Sequence, residues 1–314
     1  MNLLITGSSG LLGSSLCKDL TAHGYTVIGY DRENHGYKLP NYFFEEGDLR
    51  DFPRLVSVMR KYEIDSILHC GGISHPKTGE CSPYSLVQIN ITGTLNIFEA
   101  AKLFNVKKVI YLSSGAVYGK NQLIKTAEGD PLNPTSFYGI SKLTGEQIAS
   151  VYMEKEGIET ISLRFAFVYG PDRKMPDPIK SLLEQAIKGI DIKLEKGSDQ
   201  EIEYIYIKDA VRAIKKAMKS STITSRILNV GSGVNTSIKE VIQVIKKLYP
   251  EVTIEVGPGD FGYDTIGAFD CSRAERELGF KIEYRLEDGI RDYARFLEDK
   301  IKNYMRRGMN ETPK

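Results

Sequence analysis

The chain has 314 residues, 42 basic against 41 acidic, four cysteines and four histidines, for a formal charge of +1. That length suits one large or two small domains around a sizeable core. A near-neutral chain without a basic block argues against nucleic acid or a membrane as partner, and Cys17, Cys70, Cys81 and Cys271 lack the spacing of a zinc site or a disulfide framework, so no metal is expected.

Met1 to Thr6 is too short an apolar run for a signal peptide, and no run approaches ~20 residues, so a soluble cytoplasmic protein is expected. Leu3-Leu4-Ile5 reads as a buried strand, followed by Gly7-Ser-Ser-Gly10-Leu11-Leu12-Gly13 and a helical pattern at Leu12, Leu16 and Leu20. Strand, glycine turn and helix in that order build a phosphate cradle, although an ordinary glycine-rich turn reads the same in isolation. Tyr25 to Tyr30 is a second strand, ending at Asp31, where a carboxylate can accept from adenosine ribose hydroxyls. Asp31 therefore favours NAD, and Arg32 beside it leaves NADP open.

Further units follow. Phe43-Phe44 leads to Gly47-Asp48-Leu49, with Asp51 as cap of a helix through Tyr62. Ser66 to Cys70 is a buried strand ending at Gly71-Gly72, Leu86 to Leu103 is helical, and Val109 to Leu112 is a strand ending in Ser113-Ser114. This alternation predicts an α/β fold, a parallel sheet with crossover helices on both faces and a ligand beyond the strands' carboxyl ends. Tyr138 and Lys142 then lie one turn apart on a helix, where an ammonium favours the phenolate and makes a proton-exchanging pair for an alcohol or ketone. Tyr204 and Lys208 repeat the spacing on the alternating run Ile202 to Ile207, a strand, where residues four apart are not stacked.

Thr6 to Gly13, Gly47-Asp48-Leu49, His69 to Gly72, Asn90 to Thr94, Leu112 to Gly119, Tyr138-x-x-x-Lys142, Leu163 to Pro171, Asn229 to Gly233 and Arg276 to Phe280 occur in this order. With them the chain resembles the extended short-chain dehydrogenase/reductase family, the NAD-dependent sugar epimerases and dehydratases typified by UDP-glucose 4-epimerase. The resemblance implies a Rossmann-type doubly wound parallel sheet with a smaller, discontinuous C-terminal substrate lobe. Residues 1–171 would bind NAD(P), with about 203–236 returning to that domain, and 172–314 would mostly form the substrate lobe. It makes Tyr138 the acid/base, Lys142 its partner at the nicotinamide ribose, and Ser114 the hydroxyl on the reacting oxygen. Cofactor contacts would come from Gly7, Gly10, Leu11, Leu12, Gly13, Asp31, Arg32, Asp48, Leu49, Cys70, Gly71, Gly72, Asn90, Ser113, Tyr138, Lys142 and Ala166. Substrate contacts would come from Ser74, Ser114, Gly115, Tyr138, Phe167 and Arg173. His69 reads as a satisfied strand-end residue, Asn90 otherwise as a helix-start residue, and Cys70 as a wall residue rather than a nucleophile. A homodimer through the helices after Ser82 and Tyr138 is also implied.

The second half reads as a Pro-rich loop from Asp172 to Pro178, helices over Ile179–Ile187, Lys208–Met218 and after the cap Ser237, and a last helix over about Leu286–Ile301 before a frayed tail, Arg306 to Lys314. Here the chain departs from the family. Phe167, Ile202 and Gly257 stand where members that bind nucleotide-diphosphate sugars carry an asparagine and two arginines, unless Arg173, Lys174 or Lys120 substitutes. Gly115 and Ala116 replace the Asp-Glu pair of the dehydratases. Ser74 and Arg173 also resemble the sugar-acid contacts of uronate dehydrogenases, although Arg173 reads equally well as a solvated surface residue. The expected activity is hydride transfer at a secondary hydroxyl of a sugar-type small molecule, with NAD as cofactor. Epimerisation and net oxidation of a free sugar or sugar acid are both open, and a non-catalytic NAD(P)-sensing protein is the remote alternative.

Overall fold

The computed structural model describes residues 1–74, 80–121, 123–175, 177–221 and 223–310, without side chains for 304–310. The apolar runs form strands as their patterning dictates: β1 (Asn2–Thr6), β2 (Thr26–Asp31), β3 (Tyr42–Glu46), β4 (Ser66–His69) and β5 (Lys108–Ser114). Helix α1 (Leu11–Ala22) follows the glycine turn, and α2 (Phe52–Lys61) is capped by Asp51, whose Oδ1 accepts from Arg54 N at 3.0 Å. The segment after β4 holds α3 (Pro83–Val87), which runs through a π-turn at Gln88–Thr92 into α4 (Gly93–Leu103). Asn90 thus sits in mid-helix at the π-turn and not at a helix start.

A short β6 (Lys125–Thr126) precedes α5 (Phe137–Glu156), which begins at Ser136, whose Oγ accepts from Gly139 N at 3.1 Å, and ends at the left-handed Gly157. Then come β7 (Glu159–Phe165), β8 (Phe167–Tyr169), α6 (Pro178–Ala186), β9 (Ile192–Leu194), β10 (Glu201–Tyr206), α7 (Ile207–Lys219) and β11 (Ile227–Val230). The chain closes with β12 (Asn235–Ser237), α8 (Ile238–Leu248), β13 (Ile254–Val256), β14 (Ala268–Phe269), α9 (Ser272–Leu278) and α10 (Leu286–Asn310). Ser237 caps α8 in a capping box with Glu240. The last helix extends past the expected end at Ile301, so 306–310 are helical, while 311–314 lie outside the described residues.

Seven parallel strands make the central sheet in the order β11-β7-β5-β4-β1-β2-β3. β1 lies between β2 and β4, so the strand order reverses there and a crevice opens beyond the carboxyl ends of β1 and β4. Of the stretch 203–236, β11 joins this sheet and α7 packs on α1, whereas β10 pairs with β8 and β12 in a separate three-stranded sheet. Tyr204 accordingly lies buried in β10, while Lys208 starts the next helix and pairs with Asp292 at 2.6 Å. The second Tyr-x-x-x-Lys spacing is not a pair.

Candidate active site

The glycine loop folds as a backbone cradle. Gly7, with φ +63°, leaves β1 in the left-handed region and donates to Tyr30 O at 2.9 Å, and Gly10 N donates back to Gly7 O at 2.9 Å. At Gly13 a Cβ would overlap the Gly7 carbonyl oxygen and lie 2.8 Å from its carbon. The first turn of α1 therefore packs directly on the loop, pointing its free N–H groups at the crevice. At the end of β2, Asp31 Oδ2 accepts from Ser9 N at 2.9 Å and Oδ1 from Arg32 N at 2.7 Å, which holds the carboxylate beside the loop. These features fit a dinucleotide: a bare backbone for its phosphates and a fixed acceptor for its ribose. Gly13→Ala should weaken NAD binding by about 10- to 100-fold, the effect of roughly 1–3 kcal/mol of overpacking. Titration of the purified variant checks this.

The middle of the cleft is apolar and tightly shaped. A Cβ at Gly71 would sit 2.9 Å from Leu49 Cδ1. Asp48 does not present a free carboxylate, because Arg50 binds it at 2.9 Å through Nε and 2.7 Å through Nη2. His69 is buried with both ring nitrogens engaged, Nδ1 with Thr6 Oγ1 at 2.7 Å and Nε2 with Thr94 Oγ1 at 3.0 Å, and burial pushes it down to about 3. Burial raises the Cys70 thiol far above its ordinary value, so it is an inert wall. Asn90 stands behind the wall: Oδ1 accepts from Ile73 N at 2.8 Å, and Nδ2 donates to Ile73 O and to Ser141 Oγ, each at 3.0 Å. Its amide ties the loop after β4 to the first turn of α5.

The start of that helix carries Tyr138 and, one turn on, Lys142, both buried. Lys142 Nζ donates to Leu112 O at 2.7 Å and lies 5.1 Å from the Tyr111 ring and 5.9 Å from the Tyr138 ring. Burial brings Lys142 down to about 8. The Tyr138 phenol departs from expectation: burial raises it, and the opposing pulls come from a Ser114 hydrogen bond and from Arg173, not from Lys142. Lys142 leans on the end of β5, so in the protein by itself desolvation outweighs the expected ammonium effect. Ser114 Oγ also accepts from Ala116 N at 3.2 Å, which fixes its position at the strand end.

Beneath this trio lies a buried network that the sequence reading missed. Ser113 Oγ donates to Glu146 Oε1 at 2.5 Å, and Arg164 donates to the two Glu146 oxygens at 2.9 and 2.7 Å. Arg164 also donates to Tyr118 Oη at 2.9 Å, which donates to Asn229 Oδ1 at 2.7 Å. The signal was present: an arginine between Leu163 and Phe165 in a buried strand must find a buried partner.

Arg173 is not a solvated surface residue. Its side chain is 11% exposed, its guanidinium lies 4.4 Å above the Phe167 ring, and Nη1 donates to Val168 O at 2.6 Å. Asp177 stands 3.8 Å from Nε, too far to hydrogen-bond. The neighbours of Arg173 turn the other way: Asp172, at φ +64°, pairs with Lys18 at 2.9 Å, and Lys174 with Glu33 at 2.8 Å. Alternate residues of this loop thus clasp the cofactor side while Arg173 faces the cleft.

One cleft of about 700 Å³ runs from Gly7 to Phe269. Every residue expected at the site lines it except Asn90, including Ser74, Gly115, Ala166 and Phe167. Ile202 lines it as well, whereas Gly257 does not, and a side chain there would strike the Glu195 carbonyl. The second arginine position is therefore filled by backbone.

Residues 3–231 match the model of the NAD dependent epimerase/dehydratase family. The chain belongs to this family. An uncharacterized protein of Methanocaldococcus jannaschii is 32% identical, over 95% of this chain and 97% of its own length. The UDP-glucose 4-epimerase of Mycolicibacterium smegmatis is 28% identical over 96% and 99%. The UDP-glucose 4-epimerase of Thermotoga maritima, solved with UDP-glucose, superposes with a TM-score of 0.87 at 25% identity, covering 96% of this chain and all of that one. The Thermus thermophilus UDP-glucose 4-epimerase, solved with NAD, gives 0.85 at 26%, covering 95% and 99%. The cofactor of the family is NAD, as the fixed Asp31 carboxylate favours.

Proposed function

We propose that this chain is an NAD-dependent enzyme acting at a secondary hydroxyl of a sugar or sugar derivative. The arrangement that carries the reading is Ser114 and the buried Tyr138 lining one cleft at the mouth of β5, with Lys142 one turn behind and bound to Leu112 O at 2.7 Å. NAD, when bound, supplies the hydride acceptor. Ser114 and Tyr138 hold the sugar oxygen, and the Tyr138 phenolate takes its proton and later returns one. Lys142 retains ammonium hydrogens beyond the one given to Leu112 O, which suits it to a ribose hydroxyl. Arg173 faces the substrate as the contact for a carboxylate, and Ser74 and Gly115 line the same cleft. Incubating the enzyme with NAD and a panel of aldoses, uronates and UDP-sugars, read at the NADH absorbance, tests the proposal. No turnover of any member would refute it.

Because burial raises Tyr138, its phenolate is scarce at neutral pH and more abundant in base. For oxidation, log kcat/KM should rise with a slope of about one per pH unit from about pH 6, then flatten as Lys142 loses its proton near 8. A flat profile would remove Tyr138 from the base role.

A second reading, epimerisation, is favoured by the relatives' names. In it the keto intermediate stays bound and the enzyme is an isomerase. Accumulating NADH with a free sugar acid would sink it.

The same proposal divides the chain into a cofactor domain, 1–171 with β11 and α7, and a substrate lobe from the remainder of 172–314. We also read the exposed Leu95 and Leu103 on α4 and Phe137, Ile140 and Val151 on α5 as one dimer face, since the two helices pack side by side. Light scattering should give twice the 35.2 kDa chain mass, and Ile140→Glu with Val151→Glu should halve it. Among the described residues no helix is long and apolar enough to cross a membrane. The four free cysteines suit a reducing cytoplasm.

A further inference from the structure

Arg173 lines the cleft and Asp177 does not, although Arg173 Nε and Asp177 Oδ2 stand only 3.8 Å apart. Both atoms are buried, and neither has a hydrogen-bond partner among the described residues. The Asp177 side chain is fully enclosed, and its other oxygen caps α6, Oδ1 accepting from Ile179 N at 2.9 Å. Lys180, the next cation along, turns its Nζ to Arg173 O at 2.8 Å. Arg173 itself is held from two further sides, by the Phe167 ring 4.4 Å from its guanidinium carbon and by Val168 O 2.6 Å from Nη1. A guanidinium and a carboxylate ordinarily close to about 2.7–2.9 Å. With the ring stack and the Val168 bond in place, this pair stops about 1 Å short of that. Asp177 therefore balances the charge of Arg173 from behind without taking up its hydrogen bonds.

We propose that Asp177 is a positioning residue that acts through Arg173: it is the standing counter-ion of the guanidinium, and it sets how strongly the cleft prefers a carboxylate-bearing sugar to the neutral one. A substrate carboxylate on the cleft side of Arg173 would stand about 7 Å from Asp177, across the guanidinium. At an effective dielectric of about 20, like charges at that range weaken binding by about 10- to 100-fold. The inference rests on the sugar-oxidoreductase reading, in which Arg173 meets the substrate. That reading fails on turnover and this inference on binding, so the two are told apart.

Calorimetric titration of the NADH-saturated protein, which holds no hydride acceptor, with glucuronate and with glucose reads the preference as a ratio of affinities. Wild-type protein should bind glucuronate more tightly, and equal affinities would overturn the proposal before any variant is made. Asp177→Asn keeps an oxygen for the α6 cap and removes the charge. It should tighten glucuronate by about tenfold or more and leave glucose within about twofold. A folded variant with an unchanged or smaller preference, or with no detectable glucuronate binding, would overturn the proposal. A merely structural Asp177 gives that result together with a lower Tm. Asp177→Ser, also a neutral cap, carries the same expectation should the asparagine variant not fold.

Discussion

Replacing Tyr138 by phenylalanine should lower kcat by about 10²- to 10⁴-fold, the usual worth of a positioned acid/base, while leaving NAD affinity within about twofold. The variant keeps the buried ring, 5.9 Å from Lys142 Nζ, and removes only its hydroxyl oxygen. Two nearby ionisable groups are unsuited to carry the proton instead. His69 has both nitrogens committed in the core, and Cys70 is held neutral by burial. Turnover by the variant at the wild-type rate would exclude the mechanism, and loss of NAD binding would show that the side chain was structural.

Arg164→Met should destabilise the fold by about 3–5 kcal/mol, because Glu146 would remain as a buried carboxylate stripped of its guanidinium. The Glu146 side chain is 2% exposed, and Ser113 Oγ alone cannot compensate it. Pairing Glu146→Leu with Arg164→Met should recover part of the loss, since a well-packed apolar pair of similar size replaces a buried ion pair at little cost. Urea unfolding followed by circular dichroism measures both, and an unchanged midpoint in the single variant would contradict the argument. The pair joins α5 to β7 directly below Ser113. The single variant should therefore also lose activity beyond its loss of folded protein.

Much of this was legible from residue order. Apolar runs broken by Gly7, Asp31 and Ser114 dictate parallel strands with a ligand edge, and the fold follows them. Local chemistry also placed the caps at Asp51 and Ser237. What escaped was set by residues distant in sequence. Arg173 stood open between a substrate contact and a solvated residue because the loop around it is charged, and the enclosure by Phe167 beneath and Asp177 behind is what the loop's sequence does not convey. The direction of the Tyr138 shift depended on how deeply the helix start is buried, which spacing on a helix does not convey. Gly257 invited comparison as a missing side chain, and the folded chain leaves no room for one.

The π-turn at Gln88–Thr92 has a consequence for how this segment tolerates change in length. A π-turn accommodates one residue more than an α-helix would in the same span, and here that surplus residue delivers Asn90 to both Ile73 and Ser141. Deleting any single residue between 88 and 92 would return the span to regular α geometry and remove the surplus that delivers Asn90 to its partners. The loop after β4 would then lose its fastening to α5, even where the residue removed is not Ile89, which lines the cleft. In this stretch the count of residues, as much as their identity, is under constraint.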